Sequence, residues 1–250
     1  MASNVTEALN HLTTRFTAKD IMTPKSRLIC ALDAESAPGV SGYYPDFSII
    51  PIKKDGELTA YFERDTGRAR PIEIGDLVSD GTTLIDMVDI LGARGFSFVL
   101  THQRIDGYVH CSDLNHQVVK WTFYVMLEAV ERWTLETVRP ADERAYMTEK
   151  LGSDRFKQID AMYKRAGDNG RNLTTYLNLA DILRLAVSDG SLQLDETSIK
   201  MMKQVCDWAA HVLYDLPDET AVCTLATVKR ECLRLLDGMD RAAGAATSST

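Results

Sequence analysis

Two clusters in this chain have residue types and spacing that could do chemistry. Lys200, Lys203, Asp207 and His211 recur at i, i+3, i+7 and i+11, so in a helix they share one face. That stripe mixes two bases, an acid and a histidine. On the same helix Met201, Val205, Trp208 and Val212 are expected to form the buried stripe. The second cluster is His110-Cys111-Ser112-Asp113, directly ahead of an apolar helical run. Ser112-Asp113 is good helix-capping chemistry in any protein. Asp65-Thr66-Gly67 reads on local grounds as a turn. Two weaker arrangements involve Asp181: a surface ion pair with Arg184, or a place with Tyr176 opposite His211. No Walker loop, GxGxxG, HExxH or GxSxG occurs, so phosphate-loop, zinc-protease and serine-hydrolase chemistry has no motif here.

The elements that must carry these residues fall into two halves. The chain has 250 residues, a length that suits two ordinary domains. Formal net charge is -8, and neither half is basic: Lys+Arg against Asp+Glu is 11 to 16 over residues 1–115 and 17 to 20 over 116–250. A general duplex-DNA binder is therefore not expected. Five cysteines, an odd number without CxxC spacing, argue against a disulfide framework or zinc ribbon and fit a reducing cytoplasm. Residues 1–16 lack the apolar core of a signal peptide and read instead as a short helical arm. No apolar run is long enough to cross a membrane.

Residues 47–52 and 58–62 read as one hairpin around Asp55-Gly56. Residues 96–101 and 107–110 read as a second, with its turn near Gln103-Arg104. Both open on Phe-Ser and two apolar residues, and both return through Tyr. Leu84, Met87, Val88 and Leu91 mark a helix before the second hairpin, stopped by Gly95. Residues 26–32 suggest a short strand, while Pro38 and Gly39 speak against a long helix over 33–46. One copy of such a repeat exposes an apolar sheet face, which two packed copies can bury. From residue 116 onward the pattern is helical. It predicts a long apolar helix ending near Pro140, then helices over about 142–166, 174–187, 196–214 and 219–237, and a disordered tail over 242–250.

Asp20-Ile21-Met22-Thr23-Pro24 resembles the opening of a CBS domain, and Gly107-Tyr108-Val109-His110-Cys111-Ser112-Asp113-Leu114 resembles its closing strand and last helix. Residues 17–115 as a whole resemble a tandem CBS pair, with copies over about 17–78 and 79–115. The resemblance implies an adenine nucleotide (AMP, ADP or ATP) held by Asp113, His110, Ser112, Asp65, Thr23 and Pro24. In that family the Asp accepts the ribose hydroxyls, and a hydroxyl residue helps hold phosphate. Here His110 stands where Thr or Ser is usual. In the first copy Ala60 replaces Gly, and Asp65 falls one residue early.

Residues 116–241 resemble a HEPN bundle, a fold that often serves as a metal-independent ribonuclease or toxin. Asp207 and His211 match its motif, but Cys206 occupies the position of the usual Arg. The resemblance implies acid–base work by His211 on an RNA 2′-hydroxyl, with Lys203 as the nearest cation. Without such a role, His211 is a histidine favourable to the helix dipole.

The fold class expected is α+β: a CBS-like α/β pair followed by an all-α bundle. The function expected is a cytoplasmic, homodimeric regulator in which nucleotide binding controls the helical domain, needing no metal. A nucleotide-controlled ribonuclease and a ligand-free scaffold are the alternatives. With no linker visible between Asp113 and Trp121, rotation of the sheets could tilt the first bundle helix.

Overall fold

The computed structural model describes residues 14–138, 143–167, 172–211, 215 and 218–247. Most of the expected N-terminal arm therefore lies outside the described residues, as does Val212. The fold is mixed α+β and divides into two compact units, Thr13–Val118 and Val119–Thr250.

The α/β unit begins with a single helical turn, α1 (Ala18–Ile21), and a two-residue strand, β1 (Thr23–Pro24). Helix α2 (Ala37–Tyr43) leads into a meander of β2 (Ile49–Lys54), β3 (Glu57–Glu63) and β4 (Arg68–Pro71). Next come β5 (Leu77–Ser79), α3 (Leu84–Arg94), β6 (Phe96–Thr101) and β7 (Arg104–His110). The second sheet has the order β1-β7-β6-β5, with only β5 and β6 parallel.

The Asp-Gly hairpin forms as the sequence dictates. Asp55 and Gly56 take φ of 51° and 85°, the pair of positive values that a primed turn demands. In the second hairpin the turn is His102-Gln103 and β7 starts at Arg104, slightly earlier than the pattern placed it. Helix α3 buries Leu84, Met87, Val88 and Leu91. Thr83 Oγ1 accepts from the Asp86 N–H at 3.1 Å to start it, and Gly95 at φ 79° ends it.

The first half of this unit needs two corrections. Residues 25–27 form a 310 turn instead of a strand, and only Ala31 pairs, by a parallel bridge to Ile52. The 37–43 stretch is helical despite Pro38 and Gly39. Pro38 falls in the first turn, where its missing N–H costs nothing. Arg64 closes the other end, its guanidinium donating to the carbonyls of Ser41, Tyr44 and Pro45.

With these corrections the local order recurs. A parallel contact, a helix and an antiparallel hairpin occur at Ala31–α2–β2–β3 and again at β5–α3–β6–β7. Period-2 alternation gives each hairpin two apolar faces. Ile50, Ile52 and Phe62 pack with Ala31 and Ala37 on the α2 side. Leu58 and Tyr61 face the other way and pack on Phe96 and Phe98 of the second sheet. Tyr61 lies 5.2 Å from the Phe96 ring and 5.7 Å from Phe98, within the range of favourable aromatic pairs.

The helical unit contains α4 (Gln117–Thr137), α5 (Glu143–Leu151), α6 (Ser153–Ala166), α7 (Leu179–Ser188), α8 (Glu196–Ala210) and α9 (Asp218–Thr247). The expected 142–166 helix is two helices. Gly152, at φ 83°, breaks it between them. The 174–187 helix starts late, at Leu179, because Asn178 caps it by accepting from the Asp181 N–H at 3.0 Å. The last helix continues to Thr247, so the tail expected to be disordered is largely helical. Its Ala-rich composition explains that, since Ala is the best helix former. Phe123 of α4 meets Trp208 of α8 edge-on, with ring centroids 6.1 Å apart, in the core of this unit.

Candidate functional site

Strand pairing gathers part of the first candidate site. β1 runs antiparallel to β7, placing Thr23 opposite Tyr108 and Pro24 opposite Gly107. A Cβ on Gly107 would lie 2.5 Å from Met22 Sδ and 3.1 Å from the Thr23 carbonyl oxygen. A larger residue at 107 would have to displace the Met22 side chain and the Thr23 carbonyl, so this close approach favours glycine whatever else binds here. β7 then delivers His110 to a 310 turn over Cys111–Asn115.

Asp113 is not the N-cap of the apolar helix: His110 is the N-cap of this separate 310 turn, and Asp113, its third residue, supplies the acid of the capping box. One carboxylate oxygen accepts from the His110 N–H at 2.8 Å. His110 Nδ1 accepts from the Ser112 N–H at 3.3 Å and lies 3.0 Å from Ser112 Oγ. The ring stacks on Tyr108 at 6.5 Å between centroids. With Nδ1 accepting a backbone N–H, the neutral ring keeps its proton on Nε2. Donation to a phosphate from Nδ1 would require breaking this cap. Burial pushes the Tyr108 phenol well above its ordinary range, so the hydroxyl stays protonated. The motif does not run on as one continuous helix: His116 is extended, at φ -61° and ψ 142°, before α4 begins.

Asp65 does not join this corner. It is exposed in the turn between β3 and β4, where the Gly67 N–H donates to the Glu63 carbonyl at 2.9 Å. Thr23, Pro24 and Gly107 thus meet in the β1–β7 pair of the second sheet, Asp113 follows in the turn after β7, and Asp65 belongs to the first sheet.

The second candidate site is an open groove of about 640 Å³ lined by Lys200, Lys203, Gln204, Asp207 and His211. The polar stripe is therefore one surface, as its spacing requires. The buried stripe differs from expectation by one position. Met202, not Met201, is fully buried with Ile199, Val205 and Trp208. Lys203 and Asp207 pair with each other across one turn. His211 lies beyond the last helical residue, exposed and extended, its N–H donating to the Trp208 carbonyl at 3.3 Å. Burial raises the Cys206 thiol pKa, and nearby Glu131 and Asp207 raise it further. Cys206 thus supplies neither the missing cation nor a ready thiolate.

Two charge arrangements escaped the sequence reading. Lys120 is buried in α4, over the Trp208 ring at 5.6 Å. Its ammonium donates to the His211 carbonyl at 3.3 Å and pairs with Asp215 at 3.2 Å. The cation that favours the end of α8 is therefore Lys120. Its one signal in the sequence is a lone charge inside Val118-Val119-Lys120-Trp121-Thr122-Phe123. Asp181, expected beside Arg184 or opposite His211, is buried and paired with Arg155, with Nε to Oδ1 at 3.0 Å and Nη2 to Oδ2 at 2.6 Å. Arg184 pairs instead with Glu196. Tyr176 packs edge-on to Tyr163 at 6.0 Å. Among the described residues no group of three or more His, Cys, Asp or Glu converges to hold a metal, and no helix is long and apolar enough to cross a membrane.

No family model matches the chain, and no curated protein matches it. Several solved structures are similar. One is the CBS domain of a bacterial CNNM/CorC-family Mg2+ transporter in complex with ATP: 13% identity, 46% of this chain and 94% of that one, TM-score 0.35. Another is an uncharacterized conserved protein from Pyrococcus horikoshii: 15% identity, 40% and 90% covered, TM-score 0.33. A third is Hypoxic Response Protein I with two coordinated zinc ions: 19% identity, 39% and 95% covered, TM-score 0.30. At these values the likenesses carry no inference about what this chain binds.

Proposed function

We propose that residues 17–115 are a CBS-type pair that binds an adenine nucleotide and regulates the helical unit, in a homodimeric cytoplasmic protein. The observation that carries this reading is the β1–β7 pairing, which sets Thr23-Pro24 against Gly107-Tyr108 on the strand that leads into the Asp113 turn. The recurrence of helix and hairpin in two facing sheets supports the pair. In this reading one Asp113 oxygen holds the cap while the carboxylate also accepts from ribose hydroxyls, and Ser112 meets phosphate. The base lies against Thr23 and Pro24. Asp65, as an exposed turn residue, is the weaker of the two acids for this role.

Regulation follows from linkage. A nucleotide that favours one arrangement of the two sheets shifts their equilibrium, and the chain passes from Asp113 to α4 through one extended residue, His116. Thermal unfolding with AMP, ADP and ATP tests the sensor reading. A shift that grows with ligand concentration is expected. No shift with any of the three would sink it. Gly-Gly inserted at His116 should then abolish any ligand effect on the helical unit while leaving binding intact.

A second reading rests on the groove: His211 as the acid–base group of a ribonuclease, with Lys203 and Asp207 beside it. The Lys203–Asp207 pair and the Cys206 thiol weaken it, because a phosphate transition state needs uncommitted positive charge. Cleavage of single-stranded RNA that disappears in His211→Ala would establish it.

A further inference from the structure

We propose that His110 and Ser112 form a proton-controlled phosphate contact: a charged His110 ring releases the Ser112 hydroxyl to bond a phosphate of the nucleotide, and a neutral ring withdraws it. This deepens the nucleotide reading and rests on it. Position 110 holds a ring where the resemblance puts a hydroxyl, and a hydroxyl lies beside that ring at Ser112. His110 Nδ1 is the shared partner of the Ser112 N–H at 3.3 Å and of Ser112 Oγ at 3.0 Å. Ser112 is exposed at the start of the 310 turn, so a hydroxyl proton turned away from the ring meets solvent or a ligand.

The hydrogen count decides the direction of each bond. In the neutral ring Nδ1 carries a lone pair and no hydrogen. The Ser112 O–H therefore donates to it, and its proton is committed. A charged ring carries hydrogen on both nitrogens. Nδ1–H then donates to Ser112 Oγ, and the hydroxyl proton must turn outward, beside a new positive charge. The same event takes the acceptor from the Ser112 N–H, so the cap loosens as the contact forms. Histidine is the side chain that makes this change between about pH 5 and 8.

The ionisable groups around the ring are engaged elsewhere. Tyr108 stacks on it, and burial keeps that phenol protonated. His110 Nε2 lies 4.0 Å from Cys111 Sγ, which itself donates to the Gly95 carbonyl at the end of α3. The Asp113 carboxylate is held on the His110 N–H at 2.8 Å. β6 sets Phe96 opposite His110, and β1 meets β7 through Thr23 and Pro24, positions without charge. α3, which packs on the turn, carries Arg94 near this end, with its guanidinium on Ser97 Oγ at 2.6 Å. α1, which packs on β7, holds Lys19 and Asp20 in exposed positions, and Asp20 accepts from the Thr17 N–H at 2.8 Å.

The test is calorimetric titration of the full chain with AMP, ADP, ATP and the phosphate-free probe adenosine, between about pH 5.5 and 8. Wild type, His110→Asn and Ser112→Ala are compared, with far-UV circular dichroism at each pH to check folding. Asparagine is a good N-cap that does not titrate in this window, so His110→Asn keeps the turn and removes the switch. The nucleotide's own phosphate also titrates there, and dividing each affinity by that of His110→Asn at the same pH cancels it. For a nucleotide that binds, the wild-type ratio should rise about fivefold or more from the alkaline to the acid end. Adenosine should show no such rise, and Ser112→Ala should lose most of it. A flat nucleotide ratio with binding intact would overturn the proposal and leave the nucleotide reading standing. So would an equal rise for adenosine, or a rise that survives Ser112→Ala. A wild type that binds none of the nucleotides at any pH would overturn both.

Discussion

The two candidate sites are assembled by different means. In the α/β unit, residues from distant parts of the chain are gathered by hydrogen-bonded strands: Thr23-Pro24 against Gly107-Tyr108, with Asp113 following on. In the helical unit four of the five groove residues come from a single helix and His211 is the residue that caps its end, so one short stretch of chain brings them together. Two of the charge pairs in that unit, Arg155–Asp181 and Lys120–Asp215, are tied to buried positions. Convergence across elements marks a site more strongly than a shared face does, because any amphipathic helix has a shared polar face.

That contrast can be broken or sharpened by substitution. The largest effect is expected at Arg155→Ala, which strands the buried Asp181 carboxylate. Loss of about 3 kcal/mol in denaturant unfolding is expected. A loss near zero would show that solvent reaches Asp181. Gly107→Ala should cost about 1–3 kcal/mol, because its methyl group collides with Met22. It should also weaken nucleotide binding by moving Thr23 and Pro24, so an unchanged affinity would separate that edge from the ligand. Asp113→Ala should cost about 1 kcal/mol through the lost cap on the His110 N–H. His211→Ala should change stability by less than about 0.5 kcal/mol, because its side chain is exposed beyond the end of α8. A larger cost would mean that its ring packs in the folded protein.

The smallest effect concerns Glu131. Burial and the neighbouring Glu128 raise its folded pKa above the unfolded value. The native state therefore binds more protons in that window, and stability falls as pH rises through it. Glu131→Gln should raise the melting temperature at neutral pH by under about 2 °C, and the gain should vanish below the ordinary carboxylate range. An equal gain at both pH values would place the cause in packing.

Legibility in the sequence followed the range of the interactions involved. The Asp55-Gly56 turn and helix α3 are set by neighbours within a few residues, and both form where the pattern put them. Pro38 and Gly39 speak against a long helix over 33–46, and the seven-residue α2 that forms draws its support from a distance, with Arg64 closing it from about twenty positions away. β4 left no apolar alternation to read, since all four of its residues are exposed. In the candidate site, the position of Asp113 after β7 was legible. That its carboxylate already accepts from the His110 N–H, and that Met22 packs against Gly107, required coordinates. Lys120 shows the limit of apolar patterning, which treats a lone lysine as an interruption.

The most direct test of the account is calorimetric titration of the full chain with AMP, ADP and ATP, repeated on Asp113→Asn. Asparagine can still accept from the His110 N–H, so the cap survives while the carboxylate charge is removed. The account predicts saturable binding of at least one nucleotide by the wild type, weakened about tenfold or more in a variant of near wild-type stability. Absence of binding by the wild type, or equal affinity in the variant, would contradict it.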